Sequence, residues 1–393
     1  MKVLLVHNEY LQRGGEDTVF GIEKDLLESH GNEVDTLTFN NADIASFWDK
    51  ARFMFKSIYN SDAYKKMEAK IKAFQPDVIH VHNFFYVASP SIFYAAKHHN
   101  VPIVQTLHNY RLICPSAYLY HNGEIYEDNV NKVFPIGAIF KKVWNNSLLQ
   151  TASIASITAF HKMRNTFRDK VDGFIVFTEF AKSIFVNSSL QVPENQFFIK
   201  PNFTDDFGYN GGERGDYYLF IGRLSEEKGI EVLLDACEHY DFKLKILGDG
   251  PLRGLVESRA ATNSNIDYLG PKPKTEVIQY LKSAKALLFS SIWYEGMPMV
   301  IVESFSTGTP VITSKLGNPQ FIVEEGINGL HFEAKNPIKL AEAVKQFDED
   351  SALQKKLSDG ARNTYDTKYS PEKNYNRLME IYQQVSKKSM AVS

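Results

Sequence analysis

Cysteine is nearly absent: the 393 residues include two, Cys114 and Cys237. Two thiols cannot build a disulfide framework or a four-cysteine zinc site, and the count suits a reducing cytosol. An excess of one charge is also lacking. Lys and Arg total 44 against 47 Asp and Glu, a formal charge of −3, without the basic surplus of a dedicated nucleic-acid binder. Long apolar runs are missing too. The charge-free stretch 143–160 is interrupted by Asn145, Asn146, Ser147, Gln150, Thr151 and Ser153, whereas a membrane span needs about 20 mostly apolar residues. The opening Val3–Val6 run is too short for the core of a secretory signal and reads as a first strand. What is present, 44% hydrophobic and 13% aromatic residues, is enough for large cores, and the length favours two domains.

Short apolar runs alternate with helical patterns along the chain. Expected strands in the first half are Val3–Val6, Val34–Leu37, Val78–Val81, Ile103–Leu107 and Phe174–Phe177. The second half offers Tyr217–Ile221, Leu244–Leu247, Ile266–Leu269, Ala286–Phe289 and Val311–Thr313. Their apolar character on both faces marks parallel strands covered by helices on each side. The pattern starts twice, with a polar break near Pro201–Gly215. Residues 1–200 carry 21 basic and 20 acidic side chains, whereas 201–393 carry 23 and 27. Two doubly wound α/β domains facing a central cleft are the economical architecture, with boundaries at 1–201 and 202–371 and a C-terminal helix, about 372–393, returning to the first domain.

Ligands of such sheets bind beyond the carboxyl ends of strands, so the loops there carry the search. The first strand–helix loop contains Gly14 and Gly15. Two glycines at a helix start let backbone N–H groups approach a phosphate; a plain tight turn is the alternative. The loop lacks Gly-x-Gly-x-x-Gly, so a dinucleotide fingerprint is absent there. The second half opens with Gly222-Arg223-Leu224 and Glu227-Lys228-Gly229. An arginine fork and a lysine point charge suit a phosphate, unless this is a solvated charged loop. Gly248-Asp249-Gly250-Pro251 is again a strand running into a flexible loop. The richest segment is Glu295-Gly296-Met297-Pro298-Met299-Val300-Ile301-Val302-Glu303. Glu295 closes a loop after a strand, and a helix starting near Pro298 puts Glu303 in its second turn. Carboxylates accept ribose and sugar hydroxyls well. Both glutamates could instead be exposed helix charges, but the apolar neighbours argue for burial, and a buried carboxylate needs partners.

Taken in order, Gly-Arg-Leu with Glu-Lys-Gly, Gly-Asp-Gly-Pro and the Glu-x7-Glu element resemble retaining glycosyltransferase family 4, whose fold is the two-domain GT-B. The resemblance runs from Gly14–Gly15 to Gly326–Gly329. It implies that Arg223 and Lys228 bind the donor pyrophosphate, that Glu303 holds the ribose and that Glu295 holds the donor sugar. It further implies that Gly222, Gly248, Gly250, Gly296, Met297, Pro298 and Met299 line sugar and phosphate, with Gly14 and Gly15 beside the phosphate. His108, which follows the strand Ile103–Leu107, matches the family histidine that faces the donor sugar.

The implied activity is transfer of a sugar from a UDP- or GDP-sugar to a hydroxyl with retention, without an essential metal or cofactor. The segment Leu107–Pro115 resembles a subgroup active in bacterial surface-polysaccharide assembly, which implies a glycan or polyprenyl-linked acceptor at the cytoplasmic face of the membrane. The chain departs from that subgroup where Tyr126 and Asn129 stand in place of a Cys-x-x-Cys pair, so Cys114 alone supports no metal site. Asp348-Glu349-Asp350 reads as a solvated helical face. Two further readings remain, a second enzyme, a GT-B nucleotide-sugar epimerase, and a protein of another class, a non-catalytic GT-B partner subunit; the intact Arg223, Lys228, Glu295 and Glu303 argue against the latter.

Two basic-aromatic stretches point to an anionic membrane surface, peripherally bound. Residues 132–170 hold seven basic side chains, Lys132, Lys141, Lys142, Lys162, Arg164, Arg168 and Lys170, against Asp169 alone. Phe47–Lys56 has the same mixture. Core aromatics with an ordinary basic surface are the alternative.

Overall fold

The computed structural model describes residues 1–9, 15–40 and 57–392, with side chains through 387. Gly14 and the stretch Phe47–Lys56 lie outside the described residues. The chain divides into two compact units. The first comprises Met1–His121, Tyr126–Lys200 and Tyr375–Ser393; the second comprises Asn122–Ile125 and Pro201–Asn374.

The first unit is built on strands β1 (Lys2–Glu9), β2 (Glu33–Asn40), β3 (Val78–Val81) and β4 (Ile103–Thr106). The two-residue β5 (Tyr120–His121) follows, then β7 (Gly173–Val176) and β8 (Phe197–Ile199), whereas β6 (Glu124–Ile125) falls in the second unit. The main sheet runs in the order β2-β1-β3-β4-β7-β8, and every pair in it is parallel. Its central strands are buried along their length. One face packs Val3, Leu5, Val78, Val104 and Ile175 against Leu378, Ile381, Tyr382 and Val385 of the helix Pro371–Val392. Those four helical positions fall at i, i+3, i+4 and i+7, the stripe that a helix lays on a sheet.

The second unit contributes β9 (Tyr218–Ile221), β10 (Leu244–Leu247), β11 (Ile266–Gly270), β12 (Leu287–Phe289), β13 (Val311–Ser314) and β14 (Gly329–Phe332). The order is β11-β10-β9-β12-β13-β14, again wholly parallel. Alternate residues feed two cores. Tyr218, Phe220, Leu244, Ile246 and Leu288 face one side, and Leu219, Leu247, Leu287 and Phe289 face the other. Period-2 burial on both faces is what a doubly wound sheet requires.

Four strand expectations needed shortening at an end. Leu107, Phe177, Tyr217 and Ala286 fall outside β4, β7, β9 and β12, because pairing with a neighbour, not hydrophobicity, defines a strand end. The strands β8 and β14 were not anticipated: the first has three residues, and the second begins at Gly329 behind an Asn-Gly pair that reads as a turn. Asp348 is not a solvated helical charge. Its Oδ1 accepts from the Tyr218 hydroxyl and from Lys285 Nζ, each at 2.8 Å.

Each sheet has a switch point, where the chain leaves one neighbour of a strand and returns on its other side. In the first it lies between β1 and β3, in the second between β9 and β12. The loops beside the second are packed by backbone contact. Gly222 N–H donates to Leu247 O at 3.0 Å and Gly248 N–H to Gly270 O at 3.1 Å. A Cβ on Gly248, at φ +139°, would stand 1.8 Å from Gly222 O. Gly248→Ala should therefore destabilise the second unit by about 3 kcal/mol or more. Gly254→Ala, at a helical site with nothing within 4 Å of the new Cβ, should be neutral or slightly stabilising. Urea titration of the two variants tests this; equal midpoints would refute the close-packing account.

His161 gives a pH signature to the first unit. It is fully buried; Nε2 donates to Ile58 O at 2.8 Å and Nδ1 accepts from the Thr166 hydroxyl at 2.9 Å. Burial pushes its pKa down to about 4, against ~6.5 in an unfolded chain. Between these values the unfolded chain binds a proton that the folded one does not. Stability is therefore full above about pH 6.5 and falls as the pH drops toward 4. By linkage His161 accounts for about 2 kcal/mol of the loss between pH 7.5 and pH 5. His161→Gln, which keeps a donor and an acceptor without titrating, should show a correspondingly shallower pH dependence in urea unfolding.

Candidate active site at two sheet switch points

The second unit assembles its polar groups from the loops that follow β9, β12 and β13. Arg223 is exposed just beyond β9. Lys228 ends a single 3₁₀ turn, Glu226–Lys228, and Gly229 follows at φ +68°. A Cβ there would lie 2.0 Å from Ser290 O, so only glycine lets this loop press on the end of β12. Two hydrogen bonds hold the contact: Ser290 Oγ donates to Lys228 O at 2.9 Å and Ile292 N–H to Glu227 O at 2.9 Å.

That clamp brings Lys228 Nζ to 2.7 Å from Glu295 Oε1 across the switch point. Ser291 Oγ donates to the same oxygen at 2.6 Å. Glu295 is 6% exposed, and the ammonium and hydroxyl facing it are the partners a buried carboxylate needs. Lys228 also stands 5.4 Å from the centre of the Trp293 ring. The loop carrying Glu295 is fixed from β13's side: Asn318 Nδ2 donates to Glu295 O at 2.6 Å and to Gly296 O at 2.7 Å.

The helix Met299–Ser306 then begins after Pro298, with no side chain capping its N-terminus. Ile301, Val302 and Phe305 are fully buried, and Glu303 stands in the second turn, partly exposed. Its carboxylate is ion-paired with Lys274. Gly296, Met297, Pro298 and Met299 form the partly exposed link between the two glutamates. Gly222, Gly248 and Gly250 lie in the packed loops beyond β9 and β10, where Leu224 N–H donates to Asp249 O at 3.0 Å. This unit thus gathers Arg223, Lys228, Glu295 and Glu303 with those glycines along one edge of its sheet. It also recruits Ser291, Trp293, Lys274 and Asn318, which sequence reasoning did not single out.

The first unit places a second polar group at its own switch point. Gly15 opens the helix Gly15–Ser29 with open space around it. The first-turn acids are engaged: Glu16 Oε1 accepts from Asn109 Nδ2 at 2.9 Å, and Asp17 Oδ1 lies 2.9 Å from His7 Nε2. His108, half-buried beyond β4, has Nε2 3.2 Å from His82 Nδ1. Behind them Glu23 faces His80 Nδ1 at 2.9 Å, His82 Nε2 at 3.2 Å and Lys200 Nζ at 2.8 Å. Burial works against ionisation of Glu23, but Lys200, His80 and His82 outweigh it and hold its pKa well below the carboxylate range. Burial pushes His82 down to about 4 and His108 well below the imidazole range.

Glu23, His80, His82 and Lys200 escaped the sequence reading. The available signal was an acid on the apolar stripe of Val19, Leu26 and Leu27 and two histidines ending a buried strand. Among the described residues, Glu23, His80 and His82 could hold a metal ion, as could Glu68, His98 and His99. In the first set, the Lys200 ammonium already stands against the carboxylate.

Two family models match. Residues 25–205 fit Glycosyltransferase Family 4, and residues 202–364 fit Glycosyl transferases group 1. An uncharacterized glycosyltransferase of Methanocaldococcus jannaschii is 33% identical over 180 residues, 45% of this chain and 50% of that protein. A putative teichuronic acid biosynthesis glycosyltransferase, TuaC of Bacillus subtilis, is 28% identical over 174 residues, 44% of this chain and 43% of that protein. The chain thus spans about half the length of these curated relatives. The crystal structure of Anabaena HepE in complex with UDP has a TM-score of 0.66 at 15% identity, covering 98% of this chain and 100% of that one. That is a likeness of fold. With two parallel doubly wound sheets and two family models that together reach from residue 25 to residue 364, the chain belongs to the GT-B glycosyltransferases of the family 4 type.

Proposed function

We propose that the protein is a retaining glycosyltransferase that moves a hexose or related sugar from a UDP- or GDP-sugar to a hydroxyl of a glycan or polyprenyl-linked saccharide. The observation that carries this reading is the Lys228–Glu295 pair at the second switch point, with exposed Arg223 on the neighbouring loop. Cations of this kind meet a pyrophosphate, and a carboxylate fixed beside them meets sugar hydroxyls. In the proposed reaction the bond between the anomeric carbon and the leaving phosphate oxygen breaks as the acceptor oxygen bonds the same face. The leaving phosphate takes the acceptor proton, and Arg223 and Lys228 offset its charge. Glu295 holds sugar hydroxyls, while Glu303 takes ribose hydroxyls in place of, or beside, Lys274. The Gly296–Met299 backbone lines sugar and phosphate, with Gly222, Gly248 and Gly250 near the donor. His108 contacts a sugar hydroxyl.

The second domain binds the nucleotide sugar and the first binds the acceptor. Because side-chain cations answer the leaving-group charge, no divalent metal is required. The name of the Bacillus relative supports a place in surface-polysaccharide assembly, whether capsule, O-antigen or exopolysaccharide. Arg223→Ala should lower kcat about 100-fold with an intact fold. Glu303→Gln should weaken binding of the bare nucleotide by about 1.5–3 kcal/mol. Steady-state kinetics in EDTA and calorimetry measure the two. Near-wild-type turnover and binding in these variants would remove the assignment. Release of free nucleotide without any acceptor would favour the epimerase reading.

The acceptor side also supports peripheral binding to an anionic membrane. No helix among the described residues is long and apolar enough to cross one. On the helices Ile136–Lys141 and Leu148–Met163, however, Phe140 is 74% exposed, Leu149 78% and Met163 67%. Lys132, Lys142 and Arg164 are exposed among them. The sequence reading of this basic group needs one correction: Lys162 is buried, its Nζ 3.4 Å from Lys132 O, with its pKa lowered to about 8 by burial. Apolar tips among lysines fit an interfacial helix, each cation contributing about 1 kcal/mol near anionic lipid. Phe140→Ser with Leu149→Ser should abolish co-sedimentation with phosphatidylglycerol vesicles, and Lys142→Ser with Arg164→Ser should make it weaker and less salt-sensitive. Recovery of the wild type in the supernatant at low salt would reject the membrane role.

A further inference from the structure

The buried group behind His108 has a definite hydrogen-bond polarity. An ionised carboxylate only accepts, and a lysine ammonium only donates. Lys200 Nζ occupies Glu23 Oε2 at 2.8 Å, while His80 Nδ1 and His82 Nε2 face Oε1 at 2.9 and 3.2 Å. His82 Nε2, which hydrogen-bonds that carboxylate, must therefore carry hydrogen. His80 Nε2 lies 2.7 Å from the Thr106 hydroxyl and its Nδ1 2.8 Å from the Tyr382 hydroxyl. For neutral His82 the consequence passes on. With hydrogen on Nε2, its Nδ1 is a bare lone pair and can only accept from His108 Nε2, at 3.2 Å. His108 is left with its hydrogen on Nε2 and a lone pair on Nδ1.

We infer that Glu23, fixed by Lys200, acts through His82 as a positioning residue that sets the tautomer of His108, so that His108 offers Nδ1 as an acceptor to a substrate hydroxyl. The low pKa of His82, about 4, and of His108 keeps both rings uncharged near neutrality, as this chain requires. The first step of the relay is fixed by partners that are nearly solvent-free. Glu23 is 1% exposed, Lys200 2%, His80 0% and His82 3%. Water therefore has little access through which to reverse the polarity. The ring planes support transmission: those of His82 and His108 are inclined by 25° with centroids 5.4 Å apart, so the 3.2 Å Nδ1–Nε2 contact runs ring edge to ring edge. The use of Nδ1 on a substrate rests on the reading under Proposed function; the tautomer does not.

The test reads tautomers directly. Protein labelled with ¹⁵N-histidine is measured by long-range ¹H–¹⁵N correlation at pH 7.5, with signals assigned through His82→Gln and His108→Gln. In the wild type, His82 and His108 should both be neutral with hydrogen on Nε2. A wild-type His108 protonated on Nδ1 would overturn the proposal without any variant. In Glu23→Gln, Lys200 should pin the amide oxygen and turn the amide nitrogen toward the histidines. Both His82 and His108 should then switch to hydrogen on Nδ1, with kcat at least tenfold lower and nucleotide affinity unchanged. Unchanged tautomers in a folded Glu23→Gln would also overturn it. If the tautomers switch while Glu23→Gln and His108→Ala turn over like wild type, the relay stands and the substrate role of His108 fails.

Discussion

Burial of parallel strands on both faces is the constraint on which the rest of this protein depends. β3, β4, β7, β12 and β13 are buried along their length, so their interiors have no room for charge that lacks a partner. Polar groups are driven to the carboxyl ends, where loops reach water and where helices begin. The two switch points then decide which loops meet. In the second unit the loops after β9 and β12 meet because β10 and β12 lie on opposite sides of β9. Lys228 and Glu295, 67 residues apart, become an ion pair for that reason.

The two units answer the same constraint differently. The second keeps its cations near solvent: Arg223 is exposed and Lys228 partly so, and the precision of the site comes from backbone packing. Gly229 against Ser290 and Gly248 against Gly222 leave no space for a β-carbon. The first unit instead buries a network. Glu23, Lys200, His80 and His82 are each at most 3% exposed, and such a network is tolerable only where each member finds partners. Tyr382, from the helix Pro371–Val392, closes it on His80. The C-terminal helix therefore joins the core and also touches the polar cluster.

A buried ion pair of this sort adds little net stability, because desolvation offsets the attraction. Its value lies in orientation. With a lysine on one oxygen and two histidines on the other, each proton has one position that satisfies all partners, and a histidine three groups away inherits that choice. Replacing the set by apolar side chains would keep the helix on the sheet and lose the polarity.

The residues alone determined the doubly wound pattern, since paired apolar runs such as Val78–Val81 and Leu244–Leu247 became the strands expected of them. They also supplied the Glu295–Glu303 element on its loop and helix, because local spacing after a strand encodes it. Tertiary structure decided the rest. Which cation meets Glu295, and that Glu303 is paired with Lys274, follow from strand order, which periodicity does not carry. Asp348 and Lys162 read as solvated charges and are held inside by Tyr218 and Lys285 in one case and a near-closed shell in the other. Glu23 escaped notice, since a lone acid on an apolar stripe gives no hint of a lysine 177 residues away. Chain pattern is local, whereas the hydrogen-bond partners that set a proton's position are brought together only when the sheet closes around them.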